Sequence, residues 1–169
     1  MSRNPLVSIV IPCCNYGRYL PRAIDSALAQ TYRPCEVIVV NDGSTDNTHD
    51  VCRSYGQRIV YVRKENGGVN SARNVGARTA RGDWLQYLDA DDLLDPQKIE
   101  VQMALHPRAD VACIGCGWRL VSEDGAILAR HPGRLPEHPL RKLLHGNVIA
   151  SHCILLRKAA WEDVGPFDE

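Results

Sequence analysis

The chain has 169 residues, 44% of them apolar and 24% charged, which is the size and composition of one globular domain with a real core. Lys plus Arg number 20 and Asp plus Glu number 20, so no net field draws the chain toward nucleic acid or an anionic membrane. No run of eighteen apolar residues is present to span a bilayer.

In chain order, short apolar strands alternate with amphipathic helices. "LVSIVIP" reads as a strand that stops at Pro12, and polar Asn15 and Tyr16 behind it argue against a leader peptide. "YLPRAIDSALAQ" reads as a helix with Pro21 in its first turn and Leu20, Ala23, Ile24, Ala27 and Leu28 on one face. "CEVIVVND" is nearly continuous in β-branched residues, as buried parallel strands are. "GSTDNT" is a turn, and "THDVCRSYG" a short helix ended by Gly56. "RIVYVR" is a third strand, "NGGVNSARNVGARTARG" a Gly-rich turn opening a helix, and "DWLQYLDADD" a fourth strand. "DPQKIEVQMAL" predicts a helix with Asp95 as cap and Pro96 in its first position.

Beyond Asp110 the rhythm changes. "DVACIGCGWRLVSEDGAILAR" predicts two strands joined at "EDG", "HPGRLPEHP" a surface loop, "LRKLLHGN" a short helix and "SHCILLRK" a last strand. Residues 1–169 therefore read as a single domain: α/β, a Rossmann-like open, mainly parallel twisted sheet flanked by helices, with a mixed C-terminal portion.

Seven cysteines in irregular spacing do not form a disulfide framework and suit a reducing cytoplasm. Cys113 and Cys116 make a CxxC, but no second pair follows to complete a zinc site. His131, His138, His145 and His152 recur every seven residues, yet Pro132, Pro136 and Pro139 forbid a continuous helix there, so the spacing carries no meaning.

In open α/β sheets ligands bind beyond the carboxyl ends of the strands. Here those ends read "IPCCN", "VVNDGSTD" and "LDADD", which places Asn15, Asp42 and three further carboxylates on one edge, with Arg73 and Gly67–Gly68 on the helix that faces it. Asp89 and Asp91 are two apart, so in extended backbone both leave on one side, a hard-oxygen pair suited to Mg²⁺ or Mn²⁺. A cation would also offset the several kcal/mol that a desolvated carboxylate costs; the alternative is a solvated loop that needs no cation. Asp92 and Asp95 read as helix caps. Asp42 reads equally as a turn residue bonding near Gly43 and Ser44 and as an acceptor for a nucleobase N–H. Arg73 reads as a surface charge or, with Gly67–Gly68, as a phosphate ligand.

Taken together, "VSIVIPCCNYGRYL", "EVIVVNDGSTDNT", "NGGVNSARNVGARTARGDWLQYLDADD" and "GNVIASHCILLRKAAWEDVGPFDE" resemble the family 2 glycosyltransferases over nearly the whole chain. The resemblance implies the GT-A fold and an inverting, hexosyltransferase-type transfer from a nucleotide-diphosphate sugar, UDP-sugar first, to a hydroxyl of a carbohydrate, lipid-linked or protein acceptor. It implies a donor nucleotide site at Pro12, Cys13, Cys14, Asn15, Asp42, Arg73, Asp89 and Ala90, and a Mn²⁺ or Mg²⁺ site at Asp91 and Asp89 within a DXD motif. The chain departs from the family at Cys14, where an aromatic usually stacks on the base, and Tyr16 is the candidate substitute only if the backbone between them stays extended. The family's catalytic base follows the "GxFDE" segment, here "GPFDE" at residues 165–169, so it is expected beyond Glu169, and the chain is expected to be the donor-binding part of a longer enzyme. Its place would be the cytoplasm, or the inner face of the membrane for the longer protein. A non-catalytic nucleotide-sugar-binding fragment is the alternative. A sugar-phosphate nucleotidyltransferase is a weaker one, since no Gly-, Arg- and Lys-bearing loop follows strand one.

Overall fold

Near-continuous apolar runs have one economical use, the middle of a sheet covered on both faces, and that is where the first strands lie. The computed structural model describes residues 4–105, 110–133, 141 and 150–169. Strands β1 (Val7–Cys13), β2 (Cys35–Asp42), β3 (Val60–Lys64) and β4 (Trp84–Tyr87) run parallel, and β8 (Leu155–Arg157) and β5 (Cys113–Ile114) complete one sheet in the order β3-β2-β1-β4-β8-β5. β8 is antiparallel to both of its neighbours, which makes the sheet mixed at one end, as the sequence predicts. All seven residues of β1 are buried, as its central position requires.

Helix α1 (Leu20–Leu28) buries Leu20, Ala23, Ile24 and Ala27 against the sheet, the face its periodicity marks. It shares one core with α2 (Thr48–Ser54) and α4 (Lys98–Ala104), whose Cys52, Ile99 and Met103 pack with Ile9, Ile11 and Trp84. Helix α3 (Gly68–Thr79) covers the other face, with Ala72 and Ala77 against Val10, Ile38 and Val40, and α5 (Lys158–Val164) adds Trp161 there.

Several boundaries differ from expectation, and β4 ends at Tyr87 instead of running on through Asp92. β1 runs through Pro12 to Cys13 instead of stopping at the proline. It pairs with β4 only from Val7 to Val10, so at Pro12 one side of the strand is unpaired and a missing N–H is tolerated. Helix α4 opens at Lys98, behind a turn at Pro96–Gln97. Asp95 still accepts the Gln97 N–H at 3.2 Å, but it also pairs with Arg119 at 2.8 Å. The stretch read as two strands is three: β5 joins the main sheet, while β6 (Trp118–Val121) and β7 (Ile127–His131) form a separate hairpin closed at Ser122–Ala126. The helix expected at "LRKLLHGN" lies outside the described residues, as do His138 and His145.

Gly76 is where α3 approaches β1 most closely, since a Cβ there would fall on Val10 Cγ1. Gly76→Ala is expected to destabilise the fold by about 1–3 kcal/mol through overpacking, read as a lower urea midpoint at unchanged m. An unchanged or raised midpoint would show that α3 does not sit this close.

Candidate functional site

β4 ends at Tyr87 while β1 and β2 continue, so a crevice opens beside their last residues. It is a cavity of about 370 Å³, floored by Pro12, Cys13 and Cys14, with Asp42 on one side, Asp89, Ala90 and Asp91 on another, and Asn66, Gly68, Val69 and Ala72 on the α3 side. Of the residues the sequence marks, seven line this cavity and two do not, Asn15 and Arg73.

Asn15 adopts a left-handed φ of 57°, which its short polar side chain tolerates. Its Oδ1 accepts from the N–H groups of Thr45 at 2.8 Å and Asp46 at 3.3 Å, so it clamps the loop after β2. The turn it makes delivers Tyr16 to the cavity. Tyr16 thus reaches the cavity wall through a turn, and the extended backbone that would have brought it to the same face as Cys14 is absent. Cys14, half-buried, accepts from Asn66 Nδ2 at 3.2 Å.

Asp42 is 2% exposed and takes three donors: Lys64 Nζ at 2.6 Å, Gly67 N–H at 3.0 Å and Gly68 N–H at 2.9 Å. The turn role expected for it near Gly43 and Ser44 belongs instead to Asn41, whose Oδ1 accepts the Ser44 N–H at 2.9 Å. Asp42 works across space, fixing the loop that starts α3, and still presents its edge to the cavity.

Arg73 is neither a surface charge nor a cavity wall. From α3 its Nη2 donates to Asp89 Oδ1 at 2.9 Å and to Ser151 Oγ at 3.2 Å, so it orients Asp89 from behind. Asn74, fully buried one residue on, pairs both ways with Phe167, accepting its N–H and donating to its carbonyl, each at 2.9 Å. That pins residues 165–169 along α3. Glu169 accepts from Asn74 at 2.9 Å, and hydrogen bonds from Asn74 and Ser71 hold its carboxyl below the usual range.

The acidic segment is not extended. Asp92 N–H donates to the Asp89 carbonyl at 3.1 Å, a turn that separates Asp91 from Asp89 and brings Asp92 back beside it. Asp89, Asp92 and His152 then have donor atoms within 4.8 Å of one another. Asp92 is no helix cap: its Oδ2 lies 2.8 Å from His152 Nδ1, and Asp91 is left exposed in the cavity wall. Two carboxylates and an imidazole in this compass fit a divalent cation of the Mn²⁺ kind.

His152 is held from beneath by buried amides. Gln86 Nε2 donates to the His152 carbonyl at 2.9 Å, and Gln102 Nε2 to the Cys153 carbonyl at 3.2 Å. Lys98 ties both glutamines through their Oε1 atoms, and burial pushes its ammonium down to about 8. His152 also borders a second cavity of about 780 Å³, which shares Tyr16 and Asp91 with the first and includes Tyr19, Trp118 and Cys116. Sequence reasoning missed Asn66 and the pairing of Asp92 with His152, because no spacing connects residues 92 and 152.

A mainly parallel sheet with a crevice and an acidic turn at its carboxyl edge is the GT-A fold, which the solved structures below share. The model of Glycosyl transferase family 2 matches residues 8–165, and the chain belongs to that family. An uncharacterized glycosyltransferase of Rickettsia typhi is 40% identical over 174 residues, covering 98% of this chain and 54% of the relative. The chain thus spans about half the length of that relative, and less of others it matches. Among solved structures, TarS 1–349 of S. aureus in complex with UDP superposes with a TM-score of 0.72 at 21% identity, over 94% of this chain and 48% of that one. The mannosyltransferase PcManGT of Pyrobaculum calidifontis, in complex with GDP-Man and Mn²⁺, gives 0.72 at 18% identity over 99% of this chain and 48% of its own. At these identities the two structures speak for the fold.

The Asp92 hydrogen bond, with the nearby Asp89 and Asp92 charges and against burial, raises the His152 pKa. A raised imidazole stabilises the fold fully below its unfolded value of about 6.5, and that stability is lost as pH rises through the folded value. Asp92→Asn is therefore expected to move the His152 NMR titration midpoint downward in metal-free protein. A midpoint that stays put would remove Asp92 as the cause.

Proposed function

We propose that this chain is the donor-binding part of an inverting, metal-dependent glycosyltransferase that takes a sugar from a nucleotide-diphosphate sugar, UDP-sugar first. The acceptor would be a hydroxyl in polysaccharide or glycoconjugate synthesis, carried by a carbohydrate, a lipid-linked glycan or a protein. One observation carries this reading: the crevice beside β1 and β2 meets the acidic turn after β4, so a nucleoside and a diphosphate would find their different chemistries side by side.

In this reading Pro12–Cys14 and Tyr16 hold the nucleoside, with the Tyr16 ring as stacking face in place of the aromatic absent at Cys14. Asp42 and Asn66 meet the base edge, Asp42 through the acceptor capacity that three donors leave to two carboxylate oxygens. Asp89, steadied by Arg73, and Asp91 would hold Mn²⁺ or Mg²⁺, with Asp92 and His152 as adjacent donors. A divalent cation there would neutralise charge on the departing diphosphate. In this reading no residue of 1–169 is assigned to take the acceptor proton; Glu169 accepts from Asn74 of α3 at 2.9 Å. Seven free cysteines support a reducing, cytoplasmic setting, and no described helix is long and apolar enough to cross a membrane.

Calorimetric titration of UDP with and without Mn²⁺ tests this. Metal-dependent binding is expected, and Asp91→Asn is expected to abolish the dependence on metal. Binding that ignores both the metal and Asp91 would sink the metal-site assignment. Tyr16→Ala is expected to cost about 1–3 kcal/mol, the worth of one base–aromatic stack, with metal dependence retained. Unchanged UDP affinity in that variant would return the stacking role to the other walls.

A further inference from the structure

Two cysteines outside the donor crevice meet across the fold. Cys116 lies in the loop between β5 and β6, half-buried, in the wall of the larger cavity. Cys153 lies 37 positions on in sequence, 1% exposed, in the turn that precedes β8. The Cys116 N–H donates to the Cys153 carbonyl at 3.1 Å, which sets the two residues side by side where the β5–β8 pairing runs on past Ile114 and Leu155. We propose that Cys116 and Cys153 are a paired dithiol that a peroxide closes to a disulfide, a reversible modification site in the wall of the larger cavity. The inference stands whether or not the neighbouring crevice transfers sugar.

The two sulfurs have unequal access, which suits unequal roles. Cys116 opens on the cavity, where a small oxidant reaches it, while Cys153 is sheltered behind it. The neighbouring Cys153, helped by the charges of Lys98 and His152 and opposed by burial, lowers the Cys116 pKa. A thiolate is the form that attacks peroxide. The Cys116 sulfur takes one peroxide oxygen, the O–O bond breaks, and the departing hydroxide becomes water with a proton. The Cys153 sulfur then loses its proton and displaces the second hydroxide from the sulfenic acid, leaving the S–S bond and a second water. Two thiols are oxidised by two electrons and one peroxide is reduced.

Cys13, Cys52 and Cys113 lack this combination. Cys13 and Cys52 are both buried, and burial raises both thiols, Cys52 to about 12. Cys113 is exposed on β5, and its strand neighbour Ile114 turns inward instead. Cys116 is thus set to cross-link with Cys153 and not with Cys113, its CxxC partner in sequence.

The test is to expose the purified protein to one equivalent of hydrogen peroxide, alkylate, and map peptides without reduction. A Cys116–Cys153 cross-link is expected before any other oxidation, reversed fully by dithiothreitol. In Cys153→Ser the cross-link is expected to vanish while Cys116 becomes reactive to dimedone, which traps sulfenic acid. A Cys113–Cys116 cross-link, earlier oxidation at Cys14 or Cys113, or Cys116 passing to sulfinic acid beside an intact Cys153 would each overturn the proposal. The wild-type map decides the matter even if the serine variant fails to fold.

Discussion

β1 pairs with β2 from Val7 to Cys13 but with β4 only as far as Val10, and this unequal ending opens the molecule at one edge. Had β4 continued in register, its backbone would have filled the space beside Pro12 and Cys13. Because it stops at Tyr87, the chain after it turns through Asp89–Asp92 and hangs carboxylates over the gap. The proline in β1 belongs to the same stagger, since it stands where one side of the strand is already unpaired.

Around that gap, polar side chains are spent on holding backbone as much as on facing solvent. Asn15, Asp42 and Arg73 look like ligand-binding groups by type, yet each is engaged by protein: Asn15 by the 45–46 amides, Asp42 by Lys64 and the Gly67–Gly68 amides, Arg73 by Asp89. A buried carboxylate needs such donors to offset desolvation. The consequence is a preorganised wall whose loops cannot drift far from the strand ends.

The same logic operates below His152. Gln86, Lys98 and Gln102 form a buried polar network under the turn at His152–Cys153, with Gln86 fully buried and Gln102 2% exposed. Low dielectric strengthens such contacts and makes each unpaired member costly, so the network fixes one geometry. It lies between the acidic turn and the larger cavity, and so joins the two halves of the polar edge.

The strands and helices of the first hundred residues were legible from residues alone, because burial on two faces or one face writes itself as continuous or 3.6-residue apolar patterns. So were the strand ends at Pro12–Cys14, Asp42 and Asp89–Asp91 as the polar edge. What the pattern could not supply was anything depending on a partner far along the chain. Periodicity says nothing of Asp92 meeting His152, of Asn74 gripping Phe167, or of Cys116 meeting Cys153. Those pairs exist only because β8 comes back antiparallel beside β4 and carries the turn before it to the acidic edge. A side chain's direction in a turn was equally out of reach: Asp89 and Asp91 would share a face in a strand, and it is the backbone bond from Asp92 to Asp89 that gives Asp89 a different neighbour. Local sequence thus determined which residues stand at the edge, and tertiary packing decided which of them touch, since contact across sixty residues is set by strand order and turn geometry, not by spacing.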